Sequence, residues 1–130
     1  MSNIEVFGRC LDAISIRDVR TLIELSTEDI EVRPMRALLE DTVYRGREGI
    51  EQWMRDLDET WLELRVEVEE IHEPVAGSVV ALCTLHGRGH GSEAPTQMPV
   101  ALTAHLRDGL VSRATTYVDR EAALREASGD

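Results

Sequence analysis

The chain has 130 residues, the usual size of one domain, and its 42% hydrophobic and 30% charged content is that of a folded chain rather than a disordered one. With 25 acidic against 14 basic residues the formal charge is −11, a field that repels polyanions and argues against a nucleic-acid partner. The N-terminus "MSNIEVFGRCLDAI" has no basic region followed by a long apolar run, and no segment approaches the roughly 20 apolar residues of a membrane span, so a cytoplasmic protein without a membrane partner is expected.

Ile4, Phe7, Leu11 and Ile14 recur at three- and four-residue steps, and Val19, Leu22, Ile23 and Leu25 continue the pattern after a break near Ser15. This spacing predicts a helix pair. "STEDIEVRP" offers a turn, a short strand with Ile30 and Val32 on one face, and a proline that ends it; "MRALLEDTVYRG" reads as a loop leading into a second short strand. In "VYRGREGIEQWMRDL" and the residues after it, Ile50, Trp53, Met54, Leu57 and Trp61 share one helical face, with Gly46 as N-cap and Glu48 in the first turn complementing the helix dipole. The two glycines lack the spacing of either common phosphate-binding loop, so the stretch starts a helix and does not cradle a phosphate.

From Leu62 the hydrophobic period changes from 3.6 to 2. "LELRVEVEEIH" alternates Leu62, Leu64, Val66 and Val68 with charged residues, which predicts a strand with one wet face. "SVVALCTLHGRGHG" and "MPVALTAHLRDGLVSRATTYVD" supply three more strands, with a hairpin turn at "RDG", and "DREAALREAS" a last short helix that Asp119 can cap. Cys10 and Cys83 are far apart among apolar neighbours and read as buried thiols. No repeat or linker divides the chain, so residues 1–130 form one α+β domain, helices first and then a long antiparallel sheet curling around them. Val79, Ala81, Cys83 and Leu85 give the later strands a second apolar face, and a face of that kind left in water predicts a homodimer through the outer faces of the last three strands.

The order of elements, together with "DIEVRP", "VYRGREGIEQWMRDL" and "LRDGLVSRATTYVDREAAL", resembles the SnoaL-like branch of the nuclear-transport-factor-2-like superfamily from about Val6 to Leu124. The resemblance implies a cone: a strongly bent sheet around three helices, with an apolar cavity open at one end, often as a homodimer. It also implies a small apolar molecule as ligand, acted on by the acid/base chemistry of an isomerase, cyclase or hydrolase. The alternative is a non-catalytic ligand-binding or dimerisation module of the same fold, since fold does not fix activity.

By that resemblance Asp119, at the end of the last strand, is the candidate acid/base, with Tyr117 on the same strand face; the competing reading makes Asp119 the N-cap of the last helix. His86 is a candidate base or donor, set against a histidine satisfied at the sheet edge. His86 and His90, four residues apart on a strand, stand about 13 Å from each other, too far for one metal ion. His105 has no settled direction, and His72, after an acidic run, is expected at the surface. Trp53, Met35, Tyr44, Trp61 and Arg33 are candidate substrate contacts, with core packing as the plainer role of the apolar ones. Asp29, Arg33 and Asp41 only poorly match the Asp-Arg-Asp set of the superfamily's epoxide hydrolases. Nothing in the sequence calls for a nucleotide, a flavin or a metal, so no cofactor is expected.

Overall fold

The computed structural model describes residues 1–35, 42–91 and 94–129. Helix α1 (Asn3–Ile16) starts at Ser2, whose hydroxyl accepts from the Glu5 N–H at 3.1 Å. It ends at Arg17 in the left-handed region, and α2 (Val19–Glu24) begins at once because Asp18 accepts from Thr21. These hydrogen bonds hold the Asp18 carboxyl below its ordinary pKa. The break in the predicted helix pair therefore falls at Arg17 and Asp18 rather than near Ser15.

Strand β1 (Ser26–Arg33) begins at Ser26, so the stretch expected to turn is extended, and β2 (Tyr44–Arg45) pairs with it. Helix α3 (Gly46–Thr60) follows directly. Its N-cap is Arg45, without a side-chain capping bond, and Gly46 is its first residue. Trp61, expected on the face of this helix, instead opens β3 (Trp61–Val75). After it come β4 (Ser78–Gly89), β5 (Thr96–Arg107), β6 (Leu110–Tyr117) and α4 (Arg120–Ala127). Asp108 and Gly109 turn the β5–β6 hairpin with φ of 54° and 78°, as a type I′ turn requires.

The six strands form one sheet in the order β2-β1-β6-β5-β4-β3. Every pairing is antiparallel except β1 with β6, which is parallel, so the sheet is mixed where a wholly antiparallel one was expected. Register shifts interrupt β3–β4 between Trp61 and Glu63, Val68 and Glu70, and His72 and Val75; each adds bend and twist. The shift near Val68 also turns the strand over. Val66 is buried, Val68 is exposed, and the next inward residue is Ile71, five positions on. The simple alternation read from the sequence holds only at Leu64 and Val66, since Leu62 before them is exposed as well.

Inside the curve, α1 to α3 meet Val79, Ala81, Cys83, Val100, Leu102 and Val111 in one core with Phe7 and Leu11. Outside it, α4 sets Ala123 and Ala127 on Val80 and Ala101. Both faces of β4 and β5 are thus covered within the chain where α4 lies, around Val80 and Ala101, which explains their apolar content there. Val79, Ala81 and Cys83, on which the expectation of an exposed second face rested, point into the core. Helix α4 is pinned by Glu126, whose Oε1 accepts from His105 Nε2 at 2.9 Å and from Arg113 at 3.1 Å. Ser78 Oγ lies 3.3 Å from the other His105 nitrogen. At the far edge the Val66 N–H donates to Ser15 Oγ of α1 at 2.9 Å. No described helix is long and apolar enough to cross a membrane.

Cys10 and Cys83 are free thiols in this core, both pushed up to about 12 by burial. The thiolate is the reactive form. In the folded protein both cysteines should therefore resist iodoacetamide at pH 8, and both should react once urea unfolds the chain; mass spectrometry of native and unfolded samples checks this.

Candidate functional site

Two concave features lie at the end of the curved sheet. The larger, about 650 Å³, is an open groove beside the C-terminus of α1 and the ends of β3 and β4. It carries two ion pairs, Arg17 with Asp58 at 3.0 Å and Arg88 with Glu63 at 2.9 Å, and Arg65 lines it as well. The smaller, about 190 Å³, is a cavity between α1, α3 and the inner face of the sheet. Ligand sites are concave, mostly apolar and furnished with few polar groups, which favours the smaller feature although the groove is larger.

The cavity is built from one side of α3 and the strands opposite. Trp53, Asp56, Leu57 and Thr60 lie at helical spacing on α3 and share its wall. Val66, Leu85, Leu102 and Thr116 come from β3, β4, β5 and β6, while Met35, Tyr44 and Trp61 complete it. Its one carboxylate among the described residues belongs to Asp56. The Tyr44 hydroxyl donates to Asp56 Oδ2, and Gln52 Nε2 donates to Asp56 Oδ1 at 2.7 Å.

Two glycines make this wall possible through close approach. A Cβ on Gly49 would come within 2.8 Å of the Tyr44 carbonyl carbon, so the first turn of α3 can press against Tyr44 only with glycine there. That contact sets Tyr44 beside the helix that carries Asp56. A Cβ on Gly87 would come within 2.8 Å of Trp61 Cε3 and 3.2 Å of the Glu63 carbonyl oxygen. The indole of Trp61 thus lies directly on the β4 backbone, at the boundary between cavity and groove.

Of the residues singled out from the sequence, Trp53, Met35, Tyr44 and Trp61 all lie on the cavity wall. Arg33 is not among the lining residues; its guanidinium reaches Glu31 at 3.4 Å. Asp29 accepts from Thr27 at 2.7 Å and from Arg107 at 2.8 Å, bonds that lower its carboxyl pKa, and so it does not pair with Arg33; Asp41 lies outside the described residues.

The catalytic candidates are placed elsewhere. Asp119 is exposed and accepts from the Glu121 and Ala122 N–H groups at 2.9 and 3.3 Å, as the cap of α4. Tyr117 pairs with Ala101 and packs with the outer cluster beneath α4, where burial, with the Glu126 charge second, raises its hydroxyl pKa. His86 lines the open groove, and its Nε2 lies 2.8 Å from Glu67 Oε1. His86 stands beside Gln97 and Tyr117 beside Ala101, four residues apart along β5, or about 13 Å. That separation is several hydrogen-bond lengths, so the three groups do not converge on one point. His90 faces the Asp58 carbonyl at 2.8 Å and His72 faces Glu70 at 3.3 Å; each ring has its own partner.

Asp56 was missed in the sequence because the helical wheel puts it with the polar residues of α3. The available signal was its position three residues after Trp53 and four before Thr60, on the margin of the apolar face.

The family described as a SnoaL-like domain matches residues 7–114. Among solved structures the chain is similar to an NTF2-like protein of Burkholderia pseudomallei, at 15% identity over 96% of this chain and 97% of that one, with a TM-score of 0.81. It is also similar to a protein of ketosteroid-isomerase-like fold from Catenulispora acidiphila in complex with trimethylamine, at 19% identity over 96% and 92%, TM-score 0.78. A third, from Jannaschia, bears a name that assigns it to the SnoaL-like polyketide cyclases, at 20% identity over 98% and 92%, TM-score 0.76. Likeness at these identities establishes the fold. No curated sequence matches.

Two variants test this geometry. Asp119→Ala should lower stability by about 1 kcal/mol in urea unfolding while Asp119→Asn, which caps equally well, should leave it unchanged. Gly87→Ala, ordinarily harmless in a strand, should lower stability by about 1–3 kcal/mol, because the added methyl must displace Trp61, and should shift tryptophan emission.

Proposed function

Because the chain belongs to the SnoaL-like domain family, whose match spans most of its length, we propose that it binds a small, largely apolar molecule in the cavity under α3, with Asp56 and Tyr44 as the polar contacts. The observation that carries this reading is the wall itself: a nearly continuous apolar lining interrupted by one hydrogen-bonded carboxylate.

Volume decides the size of the ligand. Drug-sized sites run from roughly 300 to 1,000 Å³, whereas a cavity of roughly 150 Å³ accepts benzene. At about 190 Å³ this cavity suits a single ring or its equivalent rather than a polycyclic compound. The trimethylamine complex on the same fold supports an occupant of that scale.

A phenol and a carboxylate in contact at an apolar surface are equipped to pass a proton. Turnover as an isomerase, cyclase or hydrolase would draw on this pair. A non-catalytic binder would use the same contacts to orient its ligand. The homodimer expected from the sequence is carried forward in this proposal through the outer sheet surface that α4 leaves uncovered; light scattering should give twice the chain mass, and a monomer at high concentration overturns it.

Trp53 and Trp61, the only two tryptophans, both line the cavity, so intrinsic fluorescence reports occupancy directly. A panel of monocyclic compounds should contain ligands that change the emission saturably, and Leu102→Phe, which fills part of the cavity, should abolish the response. Absence of any saturable change across the panel, or binding unaltered in Leu102→Phe, would overturn the assignment.

A further inference from the structure

We propose that the open groove beside the end of α1 is a second binding site, for a small amphipathic acid: a carboxylate carried on an apolar chain of a few carbons. The reading of the cavity plays no part in it. Cross-strand register assembles the polar half. Arg65 of β3 pairs with His86 of β4, and His86 with Gln97 of β5, so the three side chains stand in a row on one face of the sheet at steps of roughly 5 Å. Arg88 shares that face two residues beyond His86. All four residues line the groove.

The acids near this row are already engaged. Asp58 is held by Arg17 at 3.0 Å, Glu63 by Arg88 at 2.9 Å, and Glu67 lies 2.8 Å from His86 Nε2. Arg65 stands between Glu63 and Glu67 on the same strand face, yet it forms no hydrogen bond or ion pair with any described residue. Arg88 Nε is withdrawn from water with no acceptor among the described residues. The row therefore ends one acceptor short, and the missing partner is an anion. A guanidinium offers two parallel N–H groups that match the two oxygens of a carboxylate, and the side-chain amide of Gln97 adds a further donor in the same row. The chain's formal charge of −11 opposes an anion from a distance, but exposed charges more than about 10 Å away are largely screened at about 0.1 M salt, so the contacts within the groove decide.

The apolar half comes from two other elements. Ile16 at the end of α1 and Leu62 at the start of β3 are left 74% and 54% exposed, and both line this groove. A single exposed apolar side chain is ordinary, but two from separate elements bordering one concavity, beside a cation without a partner, complement an amphipathic anion. At about 650 Å³ the groove lies within the roughly 300–1,000 Å³ of small-molecule sites, with room for the chain as well as the carboxylate.

The test titrates the full chain with hexanoate, its neutral counterpart hexanamide, and acetate, by calorimetry and by amide NMR. Hexanoate should bind more tightly than hexanamide by roughly tenfold or more, and Arg65→Gln, which removes an exposed side chain that the fold does not use, should erase that advantage. Acetate, which keeps the carboxylate and lacks the chain, should bind more weakly than hexanoate by a similar factor. Hexanoate should also move the resonances of the Gln97 side-chain amide and the Gly87 N–H. Equal binding of acid and amide, hexanoate binding undiminished in Arg65→Gln, or no binding of hexanoate at all would overturn the proposal. Acetate binding as tightly as hexanoate would overturn its apolar half. Shifts confined to Leu102 and Thr116 would place the acid in the cavity and overturn the groove as its site.

Discussion

The curvature of the β3–β4 pairing is the constraint on which the remaining features depend. A regular antiparallel pair of this length would twist but not fold back over the helices. The register shifts along β3 bend it enough that α1 to α3 sit in a hollow instead of on a plane. The helices do not fill that hollow. Near the start of β3, where Val66 and Leu85 face Trp53 and Leu57, the sheet and α3 diverge around the cavity. Where the strands run under α1 and α2, the same sheet meets Phe7, Cys10 and Leu11 in continuous packing.

The polar contact in the cavity is made locally. Tyr44 and Asp56 lie twelve residues apart in one strand–turn–helix unit, and Gly49 is what lets the unit close tightly. Trp61 is the next residue after the helix and is held from below by Gly87. One short segment therefore supplies the carboxylate, the phenol and both indoles, while the distant strands contribute apolar wall and Thr116. Changes to β5 or β6 would alter the cavity's shape and leave its charge in place.

Much of this was legible in the residues. The switch from a 3.6 to a 2 period placed the helices and the long strands, and the second apolar face of β4 and β5 signalled a surface in need of cover, which the sequence reading sought in a partner chain. What covers the outer face was not legible, because the cover is two alanines, Ala123 and Ala127, in a short and mostly charged helix. The bulge near Val68 was hidden for a similar reason: Val68 looks inward by strict alternation, and only the pairing with β4 shows that the strand has turned over. The aromatic wall was found because bulky apolar residues near a predicted helix face are conspicuous. Asp56 was overlooked because the helical wheel classed it with the solvent-facing residues, and Asp119, Tyr117 and His86 drew attention because titratable residues on strands do so wherever their side chains point.

The bond from the Val66 amide to Ser15 has a consequence beyond holding α1 in place. β3 is the last strand of the sheet, and an outermost strand fifteen residues long exposes a row of unpaired backbone donors and acceptors that a second chain could extend. Ser15 occupies the donor of Val66, the buried apolar residue of that strand, and does so from a helix that physically covers the edge there. Between that contact and the one from Asn3 of the same helix to Glu73 at 2.8 Å, Glu67, Glu69 and Glu70 are exposed carboxylates, so an approaching copy of the same strand would meet its own negative charge. Resistance to fibrillar stacking is thus written into the edge itself: one helix lies along it from Ser15 at Val66 to Asn3 at Glu73, and the carboxylates between those contacts repel a copy.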